Sequence, residues 1–239
     1  MHPPDADLAA WRGVEAVIEN LLPYYERVNL VNTFGRLPFW RKRLARVVRR
    51  QDVVLEIGSG PGGFARLVHA RKVVCLDPSR TMLAFAAGRL AGNGYRFLSG
   101  IAEQMPVRGG TVDKVFCSFS FRDFLDQPAS VREIARVLRP GGELHILEAA
   151  PPPAGLRHAF MKSWLTFGVP AIVGALVPAK VRRTWGEPPF RAFSRSYEAM
   201  EPPEAYAVLL ERSGFSDVRL RYLSMRAVFH LQGVRARTT

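Results

Sequence analysis

Apolar positions along the chain follow two periods. At residues 8–22, Leu8, Trp11, Val14, Val17, Ile18 and Leu21 fall on the three-and-four spacing of one helix face, and Pro23 interrupts it. A second, basic helix is expected near Phe39–Arg50, with Leu44, Val47 and Val48 apolar among Arg41, Lys42, Arg43, Arg46, Arg49 and Arg50. From Val53 the pattern changes. Val53-Val54-Leu55-Glu56-Ile57 is a short apolar run stopped by glycines, which predicts a buried parallel strand. Further strands are expected at Val73–Leu76, Tyr95–Leu98, Val112–Ser118 and Glu143–Glu148, with helices over Arg80–Ala91 and Pro128–Leu138. This alternation predicts an α/β fold, a doubly wound and mostly parallel sheet covered by helices on both faces.

The stretch from Pro151 to about Pro203 breaks the rhythm and reads as a helical insertion. Glu204–Ser213 then predicts a helix ended by Gly214. Val218–Ser224 and Arg226–Gly233 predict a strand pair with a tight connection, which adds an antiparallel strand and brings the sheet to seven. The expected organisation is one domain: a helical cap at 1–50, a core at 51–150, a lid at 151–203, and a last helix and strand pair at 204–239. The 239 residues, 48% of them hydrophobic, suit one such core.

Charge and cysteines add less. The net charge of +13 attracts polyanions, whether nucleic acid or an acidic membrane, although arginine far outnumbers lysine and the excess can reflect base composition. Cys75 and Cys117 both fall in strand-like runs, which suits buried reduced thiols and provides neither a disulfide framework nor a metal site. The start, Met1-His2-Pro3-Pro4-Asp5, lacks the pattern of a secretory signal, so a cytoplasmic protein is expected.

The chemistry-bearing motif is Glu56-Ile57-Gly58-Ser59-Gly60-Pro61-Gly62-Gly63, set between the first strand and a helix expected to begin near Phe64. Glycines there allow a tight turn and a close approach of ligand to backbone. Asp77, nineteen residues after Gly58, ends the second strand, where a carboxylate can accept both ribose hydroxyls of a nucleoside. The glycines alone are ambiguous. Gly58, Gly60 and Gly63 fit a dinucleotide fingerprint, while Glu56, Gly58, Gly60 and Gly62 fit the E-x-G-x-G-x-G of methyltransferases.

The surroundings separate the two readings. Asp77-Pro78-Ser79-Arg80-Thr81-Met82-Leu83, Gly100-Ile101-Ala102-Glu103-Gln104-Met105-Pro106, Asp113-Lys114-Val115-Phe116 and Arg136-Val137-Leu138-Arg139-Pro140-Gly141-Gly142 resemble motifs of class I methyltransferases. The resemblance implies a Rossmann-like fold and S-adenosylmethionine as cofactor, leaving S-adenosylhomocysteine as product. It places Glu56, Gly58, Ser59, Gly60, Gly62, Asp77, Pro78, Met82, Ala102, Glu103 and Ser118 at the cofactor. Ile101 stands where such enzymes usually carry an acid that reads the adenine amino group, so that role would pass to the backbone near Ala102 or to Glu103.

Further stretches resemble the ubiquinone/menaquinone biosynthesis C-methyltransferases. These are Tyr25-Glu26-Arg27-Val28-Asn29 with Thr33-Phe34-Gly35 and Trp40-Arg41, Ser118-Phe119-Ser120-Phe121-Arg122-Asp123-Phe124, and Arg136 through Ala150. Glu26, Thr33, Leu37, Asp123 and Ala150 replace the usual Asp, Ser, His, Asn and Ser. The resemblance implies methyl transfer to a ring carbon of a prenylated quinol or naphthol. A ring carbon becomes nucleophilic when the neighbouring hydroxyl loses its proton, so the enzyme must align the reactants and manage that proton. Arg122 is the candidate to stabilise the phenolate, Asp123 to accept the proton, and Tyr25 to cover the cofactor or touch the acceptor. An Arg–Asp neighbour pair at a strand end, or a packed helix-end tyrosine, would look the same in the sequence.

The run from Trp164 to Pro178 is apolar but holds Gly168, Pro170 and Gly174, and it falls short of the ~20 residues of a spanning helix. Arg157, Lys162, Lys180, Arg182 and Arg183 flank it. Such a run suits a lid, a dimer contact, or a surface that dips into an anionic leaflet on the inner face of the cell membrane. The basic residues 41–50 read first as a solvated face and second as a membrane or RNA contact. RNA methylation, methylation of another small acceptor, and a cofactor-binding scaffold are the competing functions; no Asn/Asp-Pro-Pro-aromatic tetrapeptide supports the first.

Overall fold

A computed structural model of the chain describes residues 22–90, 92, 94–150, 155–178, 197 and 200–237. The helix expected at 8–22 therefore lies outside the described residues but for Leu22, as do the flanking Lys180, Arg182 and Arg183. The chain forms two compact units, one of residues Met1–Trp40 with Pro151–Ala199 and one of Arg41–Ala150 with Met200–Thr239.

The second unit holds a seven-stranded sheet ordered β3-β2-β1-β4-β5-β7-β6. Its strands are β1 (Val53–Ile57), β2 (Lys72–Asp77), β3 (Tyr95–Ser99), β4 (Val112–Ser118), β5 (Leu138–Ala149), β6 (Phe215–Leu223) and β7 (Val228–Arg235). The first five pair in parallel, and β7 runs antiparallel to both β5 and β6. The expected fold is the observed one. The reversal of strand order at β1 and β4 opens a crevice at their C-terminal ends, where such sheets bind ligands.

Local chemistry explains the helices. Helix α3 (Arg80–Arg89) is capped by Ser79, whose hydroxyl accepts from the Met82 amide at 3.1 Å. Helix α4 (Gln127–Val137) is capped by Asp126, which accepts from Ala129 at 2.8 Å, and carries Pro128 in its first turn. It turns Val131, Ile134 and Val137 into a core shared with Leu55, Ile57, Val115, Leu144 and Ile146. Helix α7 (Pro203–Arg212) adds Tyr206 and Leu210 to the same core.

Three expectations need correction. The helix after the glycine loop is only one 3-10 turn, Ala65–Leu67, because Pro61-Gly62-Gly63 is spent on the loop and β2 begins at Lys72. The basic helix α2 (Leu37–Ala45) stops well before Arg50. The strand pair lies slightly off its expected bounds because Ser224, Met225 and Arg226 all take positive φ and close a turn through the bond from the Ala227 amide to the Ser224 carbonyl.

The first unit contains helix α1 (Tyr25–Asn32) and a continuous helical stretch from Leu156 to Leu176: α5 (Leu156–Ser163), a π-helical turn (Trp164–Gly168) and α6 (Val169–Leu176). Phe34 stacks on Trp164 at 4.6 Å between ring centroids.

Candidate active site

The glycine loop is held to β2 by backbone. The amides of Gly58 and Ser59 donate to the Leu76 carbonyl at 2.8 and 3.1 Å. Gly58, at φ +67°, sits where an added Cβ would lie 2.4 Å from that of Ser120. Gly62, at φ +78°, faces Leu90, whose flexible Cδ1 would lie 2.8 Å from an added Cβ. Gly58 excludes a side chain by conformation and by space, and Gly62 disfavours one chiefly by conformation. The loop thus approaches the chain after β4, and Ser120 reinforces the approach by donating its hydroxyl to the Ile57 carbonyl at 2.7 Å.

Asp77 completes the cradle. One carboxylate oxygen accepts from the Gly60 amide at 2.7 Å and the other from the Ser79 amide at 3.0 Å. Glu56, 1% exposed, pairs in register with Cys75 on β2. Burial pushes the Cys75 thiol far up, and the negative charges of Glu56 and Asp77 push it further. The loop therefore lies in a negative field, with the fixed Asp77 carboxylate of a kind that can accept ribose hydroxyls and a surrounding suited to a sulfonium cation. These residues fit S-adenosylmethionine.

The other expected cofactor residues are placed as follows. Met82 and Ala102 are buried, and Pro78 is half-buried. Ile101 is 37% exposed in a tight turn that bridges to Gln104. Glu103 points to the start of α4, where it accepts from the Asp126 amide and the Ser130 hydroxyl, each at 3.1 Å. Its carboxylate serves the helix terminus in this arrangement. Ser118 is buried and its hydroxyl accepts from Arg41 Nε at 3.3 Å, which draws Arg41 out of an otherwise exposed basic run.

Beyond β4, Phe119 takes a left-handed φ of +62° and its amide donates to the Leu147 carbonyl. This turn delivers Arg122 and Asp123 to a short 3-10 segment, Phe121–Asp123. Arg122 Nη1 meets Glu148 Oε1 at 2.5 Å, with the Glu148 side chain wholly buried and that of Arg122 8% exposed. Arg122 Nε lies 3.6 Å from Asp123 Oδ1, on a carboxylate whose side chain is 36% exposed. Around them Phe121 packs edge-on to Tyr206 and Phe124. Burial pushes Glu148 above its ordinary value, opposed by Arg122.

Arg122 and Asp123 are thus brought to the same end of the sheet as the glycine loop. Tyr25, half-buried on α1, belongs to the first unit. Sequence reasoning missed Glu148 as the partner of Arg122 and Ser120 as the strut under Gly58. The signal for Glu148 was an acid directly after the apolar pair Ile146-Leu147 of a buried strand.

Comparison with known proteins agrees with this geometry. Residues 6–234 match the ubiE/COQ5 methyltransferase family. The chain is 29% identical to the demethylmenaquinone methyltransferase of Thermus thermophilus over 84% of its length and 91% of the relative's. It is 30% identical to the enzyme of the same name from Deinococcus radiodurans, covering 90% and 88%. Its fold is similar to that of a Thermotoga maritima S-adenosylmethionine-dependent methyltransferase described as a possible histamine N-methyltransferase, with TM-score 0.64, 18% identity, and 93% and 99% covered. It is also similar to a Haemonchus contortus phosphoethanolamine N-methyltransferase bound to S-adenosylhomocysteine, with TM-score 0.60, 15% identity, and 80% and 50% covered. With a loop, an acid and a sheet order that suit one cofactor, and a family match over nearly the whole chain, this protein belongs to the ubiE/COQ5 methyltransferase family and is an S-adenosylmethionine-dependent methyltransferase.

Proposed function

We propose that the chain methylates a ring carbon of a prenylated quinol or naphthol in quinone biosynthesis. The observation that carries this reading is the cluster of Arg122 with Glu148 and Asp123 at the C-terminal end of β4, beside the cofactor loop. Two carboxylates against one guanidinium leave a net negative charge, which favours taking a proton from a neutral acceptor over binding an anionic one. Asp123 is the most exposed member of the cluster, at 36%, and Arg122 beside it keeps 8% of its side chain open, while Glu148 is closed to an acceptor.

When bound, S-adenosylmethionine supplies an electrophilic methyl whose transfer to carbon leaves a neutral thioether. The chain's residues prepare the acceptor for it. Asp123 takes the hydroxyl proton directly or through water, and Arg122 holds the resulting phenolate, which pushes electron density into the ring. Once the methyl has added, the hydrogen on that ring carbon leaves as a proton to solvent and the oxygen regains its proton from Asp123, which restores the aromatic ring. Glu148 keeps Arg122 from swinging away. The aromatic packing of Phe121, Phe124 and Tyr206 limits water near the developing charge. Tyr25 covers the cofactor or touches the acceptor in this reading, and a polyprenyl tail places the reaction at the inner face of the cell membrane.

The test is an assay of the purified chain with S-adenosylmethionine and demethylated naphthoquinols or benzoquinols of short tail, with the product identified by NMR. A new methyl on ring carbon is expected. Arg122→Met should lower kcat by about a hundredfold or more with cofactor affinity unchanged. A methyl on oxygen, or turnover unchanged in Arg122→Met, would overturn the reading.

A further inference from the structure

Helix residues 156–176 do not look like the surface of a protein that meets only water. Within the 19 residues His158–Leu176 the most apolar stretch has a mean hydropathy of 1.4, yet only 17% of that stretch is buried. Leu165, Val169, Val173 and Val177, recurring every fourth residue, are at most 5% exposed and form its inner side. Its outer side carries large apolar side chains as well, between the exposed Lys162, Ser163 and Thr166. Leu156 is 92% exposed, Phe167 71% and Phe160 59%. A helix with large apolar side chains on its outer side as well as its inner one suits an interior or a lipid surface, and an exposed patch of this kind marks an interaction surface.

Charge identifies the occupant. No acidic residue occurs between Glu148 and Glu187, while Arg157, His158 and Lys162 precede the apolar run and Lys180, Arg182 and Arg183 follow it. In a symmetric dimer through this face the exposed Lys162 would meet a helix with no acidic residue to pair with it, so like charges would stand uncompensated. An anionic lipid headgroup layer matches both properties, with the apolar side chains entering the acyl boundary and the cations remaining at the phosphates. We infer that the Leu156–Leu176 helix is a membrane-docking element that lies in the plane of an anionic leaflet. It does not span the bilayer, because its inner side is already buried within the protein. The inference stands on this face alone and holds whichever acceptor is methylated.

The experiment is co-sedimentation of the purified full chain with large unilamellar vesicles, without cofactor or acceptor. Vesicles of phosphatidylglycerol mixed with phosphatidylcholine are compared with phosphatidylcholine alone. Binding to the anionic vesicles is expected, weakening as salt is raised. Leu156→Ser with Phe167→Ser should weaken it by about tenfold or more, and Lys162→Glu should weaken binding to anionic vesicles specifically. Both substituted side chains are highly exposed, so the double variant should match the parent in thermal midpoint and in S-adenosylmethionine titration. Absence of sedimentation at low salt would overturn the proposal, as would undiminished binding by the double variant. A dimer that the double variant dissociates, without vesicle binding, would assign the face to a second copy. Resistance to alkaline carbonate extraction from membranes would replace docking by spanning. None of these readouts involves methylation, so failure here leaves the acceptor assignment to its own assay.

Discussion

Asp77 accepts from the Gly60 and Ser79 amides at once, so its charge is fixed by backbone on both oxygens and each still has lone pairs for ligand hydroxyls. Removing it takes away a charged acceptor and loosens the loop together. Asp77→Ala is expected to raise the dissociation constant for S-adenosylmethionine by about ten- to a hundredfold, with Asp77→Asn between it and the parent; calorimetric titration reads this, and unchanged affinity would remove Asp77 from the ribose. Glu148 and Arg122 present the opposite problem, since each is the other's counter-charge in a buried setting. Glu148→Ala would strand the guanidinium and is expected to cost about 3–5 kcal/mol of stability. Adding Arg122→Met should recover much of that loss, because an apolar side chain suits the neighbourhood of Phe121 and Tyr206. Urea unfolding of the two singles and the double decides it, and strictly additive losses would mean the two residues do not act as a pair.

At the scale of elements, the strands were legible because buried parallel strands read as short, mostly apolar runs, and β1 falls at Val53–Ile57 as expected. The turn after the glycine loop was not legible. Phe64 is fully buried against Phe116, with ring centroids 5.0 Å apart, and this anchor reads from sequence like the first residue of an ordinary helix. The loop itself makes a sharp prediction. Gly58→Ala forces a Cβ to within 2.4 Å of Ser120 Cβ and places alanine at φ +67°. It should lower the thermal midpoint and weaken cofactor binding together. Combining it with Ser120→Gly removes the clash and leaves the backbone strain, so partial recovery of the midpoint is expected in a thermal melt. Full recovery would mean that conformation matters little there, and none would mean that contact with Ser120 is not the obstacle.

Across the whole molecule, what the sequence conceals is pairing between distant strands. Arg122 and Asp123 stood out as neighbours in a family stretch, but Glu148 reaches Arg122 only because β4 and β5 lie side by side. Glu103 likewise meets the start of α4 through Asp126 and Ser130, 23 and 27 residues further along the chain. The pairing of β5 with β7 places His145 opposite Gln232, two residues along the strand from His230. His145 Nε2 lies 3.0 Å from Glu143 Oε2 and its Nδ1 lies 3.2 Å from His230 Nε2, while Glu143 Oε1 meets Lys114 at 2.5 Å. Both contacts are made by neutral rings: His145 donates from Nε2 to Glu143 and accepts at Nδ1 from His230. Burial, then the positive charge that His145 gains when protonated and those of Arg221 and Arg43, push His230 from 6.5 down to about 4, and burial lowers His145 as well. A histidine whose pKa falls on folding binds its proton more weakly in the folded chain than in the unfolded one. Its contribution to stability is therefore intact above 6.5 and declines as pH falls from there to about 4. Glu143, pulled from 4.5 to about 2 by its bond from His145, extends the loss, since its contribution is present above 4.5 and disappears towards 2. Urea midpoints should thus fall continuously as pH drops below 6.5. His230→Gln retains a donor to His145 Nδ1 without a titrating ring, so its midpoint should fall less steeply between 6.5 and 4. An equal slope in the variant would place the titrating group elsewhere than in this cross-strand pair.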